Sequence, residues 1–230
     1  MRNSVLGCAA ILFACVCSAQ ADLTIVQRVE GVGQNGDVTV KIKGDKERVD
    51  APSQPSRIID GKSGEMTDLM NDRKSYVKIS AAQIKAAAAS MNLNADKKAG
   101  ASKLTPTGKK DTINGYETEE YAYETPMFKA AFWIANKYPG ATDILKQMQA
   151  PISGAWKPSN MGMPDYTDFT GLPLKTVITV GTSQVVTTIV SIKQDSLNAA
   201  DFEIPKDFQE LKKPIQQDSA GEGPAASSSP

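Results

Sequence analysis

Four carboxylates, Glu117, Glu119, Glu120 and Glu124, are interleaved with Tyr116, Tyr121 and Tyr123 in one short stretch. On a strand, Glu117 and Glu119 share a face about 7 Å apart, a separation within the range of paired-carboxylate glycoside hydrolysis. Such a pair works only if burial holds one carboxyl protonated, and a solvated, charged strand face gives the same pattern without chemistry. Gly31-Val32-Gly33-Gln34-Asn35-Gly36 matches the dinucleotide pattern G-x-G-x-x-G. A strand pattern follows it instead of the helix that would aim its amino terminus at a pyrophosphate, so it reads as a hairpin loop. Gly61-Lys62-Ser63 resembles the end of a phosphate loop, but Ser56 stands where the leading glycine belongs, and a surface turn is the better reading. Ser75-Tyr76-Val77-Lys78 has the S-x-x-K spacing that activates serine on a helix; on a strand, residues three apart point to opposite faces. Asn92, Asn94 and Asp96 have calcium-loop spacing, with Lys97 and Lys103 where that loop needs glycine and glutamate.

The chain contains no histidine, which excludes the Ser-His-Asp and Cys-His nucleophile arrangements, the His-Glu-x-x-His zinc site and any imidazole pH switch. Cys8, Cys15 and Cys17 all fall within an export leader. Arg2 gives that leader its positive start, residues 5–16 its apolar core, and Ser18-Ala19-Gln20-Ala21 a small-residue cleavage site ahead of Asp22. Cleavage there leaves no disulfide, thiolate metal site or cysteine nucleophile. An alternative is a lipid anchor on Cys15 after Leu12-Phe13-Ala14, although Phe13 is bulky for such a processing box. The 26 Lys and Arg balance 26 Asp and Glu, and losing Arg2 leaves the mature chain about one charge negative. Nucleic acid is therefore not an expected partner. No later stretch approaches the roughly 20 apolar residues of a membrane span, so the mature protein is not expected to be membrane-spanning.

Leu23, Ile25 and Val29 alternate with polar residues, as do Val38, Val40 and Ile42, and Asn35-Gly36 lies between the two runs. Period two marks half-buried antiparallel strands, here joined as a hairpin. Further strands are expected at 47–50, 57–60, 65–70, 76–79, 116–124, 174–180 and 184–193, the last two around a Gly181-Thr182-Ser183 turn. Ser80 and Gln83 form a capping box for a helix with Ile84, Ala87, Ala88 and Met91 as its stripe. A second helix runs over 142–149, with Ile144, Leu145 and Met148 inward and Pro151 as its stop. Residues 128–138 fit both periods and are read as a strand. Phe128, Ala130, Phe132 and Ile134 then face the core, and Lys129, Ala131, Trp133 and Ala135 face away, with Trp133 near the loop around Trp156. Residues 92–105 and 150–172 read as long loops of the kind that cover a sheet, and 212–230 as a disordered tail. The expected organisation is a leader over 1–21, one domain over 22–211 and the tail.

A set of short segments in order resembles an exported bacterial family known as domain of unknown function 4412. They are Arg57-Ile58-Ile59-Asp60-Gly61, Met66-Thr67-Asp68-Leu69, Tyr76, Thr107-Gly108-Lys109, Ile113-Asn114-Gly115-Tyr116, Trp133-Ile134-Ala135, Gly171-Leu172-Pro173-Leu174 and Phe202-Glu203-Ile204-Pro205. The strand succession and the closing Phe-x-Ile-Pro also look like the fold of the periplasmic lipoprotein-localisation carriers. The resemblance implies an α+β, mainly β fold: a curved antiparallel sheet, or half-barrel, with two or three short helices on one side. Its concave face could hold acyl chains, and it implies no catalytic residues.

Val186, Val190 and Ile192 alternate with Val185 and Ile189, so that strand is apolar on both faces and central. The expected function is a non-enzymatic binding protein, exported to the periplasm or cell envelope. It would hold a lipid or a lipoprotein acyl chain on an apolar face of Val38, Val40, Ile42, Phe132, Val186, Val190 and Ile192, without cofactor or metal. The alternative is a structural envelope protein with a filled core that docks another envelope protein.

Overall fold

The structure, a computed structural model, describes residues 21–31, 35–90, 103–152 and 157–211. Most of the expected leader, the tail over 212–230, Met91, the 92–96 spacing motif, Trp156 and Val32 to Gln34 of the glycine motif lie outside the described residues.

The first six strands are β1 (Leu23–Gly31), β2 (Gly36–Lys43), β3 (Lys46–Asp50), β4 (Ser56–Asp60), β5 (Glu65–Met70) and β6 (Ser75–Ile79). Helix α1 (Ala81–Ser90) precedes β7 (Thr105–Ile113), β8 (Tyr116–Glu124) and β9 (Lys129–Ala135). Helix α2 (Ala141–Gln149) precedes β10 (Leu172–Val180), β11 (Ser183–Lys193) and the short β12 (Gln209–Glu210). All twelve strands form one sheet in the order β12-β6-β5-β4-β3-β2-β1-β11-β10-β9-β8-β7. One meander runs from β1 outward to β6, another from β7 inward to β11, and antiparallel pairing of β1 with β11 joins them. Only β12, beside β6, pairs in parallel among the described strands.

Cross-strand partners share a face, so the register identifies the side that the helices cover. Ile25 lies opposite Val40 and Ile192, Val40 opposite Val49, and Thr176 opposite both Thr187 and Phe132. On this face Ile144, Leu145 and Met148 of α2 cluster with Leu23, Ile25, Ile42 and Ile189. Ile84 of α1 packs with Ile59 and Met66 farther along the same face. The sheet is curved. The Asn114 side-chain amide, in the turn between β7 and β8, donates to the Ile189 carbonyl of β11 although β9 and β10 intervene. Three strand steps from β8 to β11 cover roughly 14 Å on a flat sheet, too far for a direct bond from the hairpin tip unless the sheet rolls. The molecule is the expected open half-barrel, with α1 and α2 on one side.

The opposite face of β2 to β5 is strapped by the chain after β11. Asp201 receives Lys41 at 2.8 Å, its backbone carbonyl accepts from Arg48, and the buried Phe202 and Ile58 line one small groove.

Two expectations need correction, and one strand was not expected at all. Ile192 does not share a face with Val186, because the β1–β11 register shifts at Val190 and the extra residue inverts the alternation beyond it. Ile192 therefore joins Ile189 on the covered face, and Val190 is left 46% exposed. Ala135, expected to face outward with Trp133, is 0% exposed, because Leu172 pairs with it and Gly171 presses on its backbone at the end of β9. Finally, β7 was not legible: as the sheet's edge it is exposed along nearly its whole length, so burial imposes no alternation on its sequence.

Candidate functional site

The residues expected to hold a ligand divide into three groups. Val38, Ile42 and Phe132 are buried on the covered face, and Val40 and Ile192 pack beside them, half-buried, against the α2 cluster. Val186 lies on the opposite face, and Val190 is exposed at the bulge. The covered face beneath α2 is filled: Leu23, Ile25, Leu172 and Leu174 are each at most 1% exposed.

Space opens instead between α2 and the segment 166–171, as a groove of about 350 Å³. Ala141, Leu145, Ala150, Tyr166 and Phe169 supply its apolar lining; Thr142, Lys146, Gln149, Thr167 and Thr170 supply its polar groups. One face of α2 serves the groove through residues 141, 142, 145, 146 and 149, while Ile144 and Met148 enter the core with Leu145 between them. The helix is seated at its far end where Gly61 meets Pro151: a Cβ on Gly61 would lie 2.5 Å from the Pro151 carbonyl oxygen.

The other wall is held by one local device and three contacts to the end of β9. The 3-10 turn Tyr166–Asp168 carries a reciprocal capping box, in which the Asp165 N–H donates to Asp168 Oδ2 at 2.8 Å. Phe169 packs edge-to-face on Phe132 with ring centroids 5.1 Å apart, which ties the wall to β9. Gly171 approaches the end of β9 so closely that a Cβ would sit 2.5 Å from the Ala135 carbonyl oxygen. Thr170 adds a hydrogen bond to Asn136 Oδ1 at 2.7 Å.

Among the described residues lining the groove, Lys146 is the one that carries a charge. Its ammonium is 3.8 Å from Asp143, and both groups are about two-thirds exposed. Gln149 holds the Ile152 carbonyl through Nε2 at 3.4 Å. Behind Tyr166, Glu47 lies opposite Ile42 and Ile59, and burial pushes its carboxyl up to about 7. Burial, reinforced by the nearby Glu47, raises the Tyr166 phenol further above its ordinary range.

The other chemically suggestive residues resolve into structural roles. Glu117 is 89% exposed and 3.9 Å from the equally open Lys137; with Glu119 it borders a polar groove between β8 and the end of β9. The buried carboxylate of this stretch is Glu120, which accepts from Thr107 at 2.8 Å and pairs with Lys109 at 3.0 Å. Burial opposes its ionisation, but these two partners hold its acid below the usual carboxylate range. Ser75 is buried on β6 while Lys78 is exposed and pairs with Glu65 at 3.1 Å, so the S-x-x-K residues do not converge. Lys62 and Ser63 donate their N–H groups to Asp60 Oδ1, an ordinary turn. Among the described residues no group of three or more His, Cys, Asp or Glu could hold a metal, and no helix is long and apolar enough to cross a membrane.

The sequence marks α2 and the covering loop but not the groove. The available signal was that Thr142, Lys146 and Gln149 border Leu145 on the side of α2 away from Ile144 and Met148.

Residues 24–208 match the model of a family described as "Domain of unknown function (DUF4412)". No curated protein matches the sequence. Among solved structures, PNGF-II is 16% identical with a TM-score of 0.39, over 83% of this chain and 31% of its own. The chain thus spans about a third of that protein's length. The lipoprotein LppX of Mycobacterium tuberculosis is 11% identical with a TM-score of 0.43, over 78% of this chain and 89% of its own. The MucA/MucB complex of Pseudomonas aeruginosa includes a chain that is 10% identical with a TM-score of 0.44, over 85% of this chain and 59% of its own. These likenesses are distant in both sequence and backbone.

Proposed function

The chain belongs to the DUF4412 family, and we propose that it is a non-enzymatic binding protein of the periplasm or cell envelope that holds an apolar ligand, a lipid or acyl chain. The ligand lies in the groove between α2 and 166–171, and the filled interior of the sheet is its support. The observation that carries this reading is the groove itself. It is an apolar trough of about 350 Å³ within the size range of ligand sites, with hydroxyl and amide groups at its border. The walls are positioned by packing and hydrogen bonds before any ligand arrives, which lowers the entropy lost on binding. The envelope location rests on the leader read over residues 1–21, and the absence of histidine and of mature-chain cysteine supports a role without catalysis.

Ala141 lines the groove at the first turn of α2 and is half-buried at the margin of the core cluster, so a large side chain there extends into the trough and opens no core cavity. A fluorescent dansyl-undecanoic acid should bind the protein at one site per chain, and Ala141→Trp should weaken it tenfold or more with the melting temperature retained. Equal binding by both proteins, or none by either, would contradict the proposal.

A second reading, docking of another envelope protein, is favoured by a different surface. Ala122, Ala131, Val177 and Val186 form a cross-strand row on the face away from the helices. It predicts capture of a protein partner that Val177→Lys abolishes and Ala141→Trp leaves intact.

A further inference from the structure

Resting on that reading, we propose that the groove takes a single-chain amphiphile with an anionic head, its chain between Leu145 and Phe169 and its head at the Lys146 ammonium. Size sets the chain number. A trough of about 350 Å³ stands near the lower bound of roughly 300 Å³ for ligand sites, which suits one hydrocarbon chain and not the two of a diacyl lipid.

Charge sets the head. Among the described residues no carboxylate lines the trough, and Lys146 is the one charged residue that does. A lysine at such a position lays its methylene stem along the apolar wall and keeps its ammonium at the water boundary, where the head of a chain buried in the trough would emerge. Asp143 does not close the position: at 3.8 Å, with both groups about two-thirds exposed, the pair is weak and an incoming anion can replace it. Thr142 and Gln149 stand four residues before and three after Lys146 on the same helix face and border the same trough, so their hydroxyl and amide can donate to that head.

Titration of the full chain with dodecanoate, dodecyl maltoside and dodecyltrimethylammonium separates chain from head, each probe kept below its micelle concentration in low salt. Dodecanoate should bind about fivefold more tightly than the maltoside, the upper range of an exposed ion pair, and the ammonium probe most weakly. Lys146→Glu should exchange the order of the two ions and leave the maltoside unchanged, and salt at about 0.5 M should narrow the spread. Equal binding of all three probes, or an order that Lys146→Glu does not alter, would overturn the head-group assignment. The groove would then survive as a site provided that Ala141→Trp still weakens every probe. Absence of binding by all three, or binding indifferent to Ala141→Trp, would overturn the groove and the head group together.

Discussion

Glu47 faces the covered side of β3 between Ile42 and Ile59, and among the described residues no cation lowers its raised acid. The consequence for stability has a definite sign. Below its ordinary value of 4.5 the carboxyl is neutral in both folded and unfolded chains, and its burial carries no ionic penalty. Between 4.5 and about 7 the unfolded chain ionises while the folded one stays protonated, so stability falls as pH rises, by about 1.4 kcal/mol per pH unit. The loss levels off above 7 at a total of about 3 kcal/mol. Denaturation midpoints at pH 4.5 and 7.5 should therefore show Glu47→Gln gaining on the wild type at the higher pH; parallel behaviour would show that Glu47 is solvated. On β9, Phe132 is buried against Phe169, whereas Trp133, alternate to it along the strand, is half-buried at the edge of the cluster that holds Ala135 and Leu172, with Lys175 Nζ 5.9 Å from its ring centre. Phe132→Ala should cost about 3 to 5 kcal/mol and Trp133→Ala less, and denaturant midpoints in the reverse order would contradict this face assignment. The alternation of Phe132 and Trp133 was legible because both lie mid-strand. Ala135 was not, because its burial comes from Gly171 and Leu172, 36 and 37 residues later in the chain.

At the scale of elements, local signals served best where they are self-contained. Ser80 and Gln83 meet as a capping box: the Ser80 N–H donates to Gln83 Oε1 at 2.9 Å and the Gln83 N–H to Ser80 Oγ at 3.3 Å. Ser80→Ala should destabilise α1 by about 1 kcal/mol, seen as faster amide exchange in α1 with exchange in β9 unchanged. Equal loss of protection in both elements would mean that α1 unfolds only with the whole sheet. Gly171 is the opposite case. The Gly-Leu-Pro-Leu segment that it opens gives no hint of what it touches, yet Gly171→Ala forces a Cβ against the Ala135 backbone and should lift the groove wall. Its melting temperature should fall by several degrees and its probe affinity with it; an unchanged protein would show that the segment is not seated as described. The bulge at Val190 was hidden for a related reason. A strand apolar on both faces gives no sign of where its alternation slips, and only pairing with β1 reveals it.

The whole molecule is two meanders joined at β1 and β11; the hairpins at 35–36 and 181–183 were legible from their turns, whereas the pairing of β9 with β10 across α2 and of β1 with β11 was not. The roll that makes it a half-barrel depends on contacts such as Asn114 to Ile189, 75 residues apart, which periodicity does not encode. The groove likewise depends on distant parts of the chain: it lies along the seam where α2, packed on the covered face, meets the 166–171 segment, held by Phe132 and Asn136. The site is therefore defined by its location. A spin-labelled fatty acid added to isotope-labelled protein broadens the amide signals nearest the bound chain. Broadening should centre on Thr142, Leu145, Thr167, Phe169 and Gly171. Broadening centred on Val38, Val40 and Ile192 inside the sheet, or on Val177 and Val186 on the far face, or its absence at saturating probe, would contradict the account.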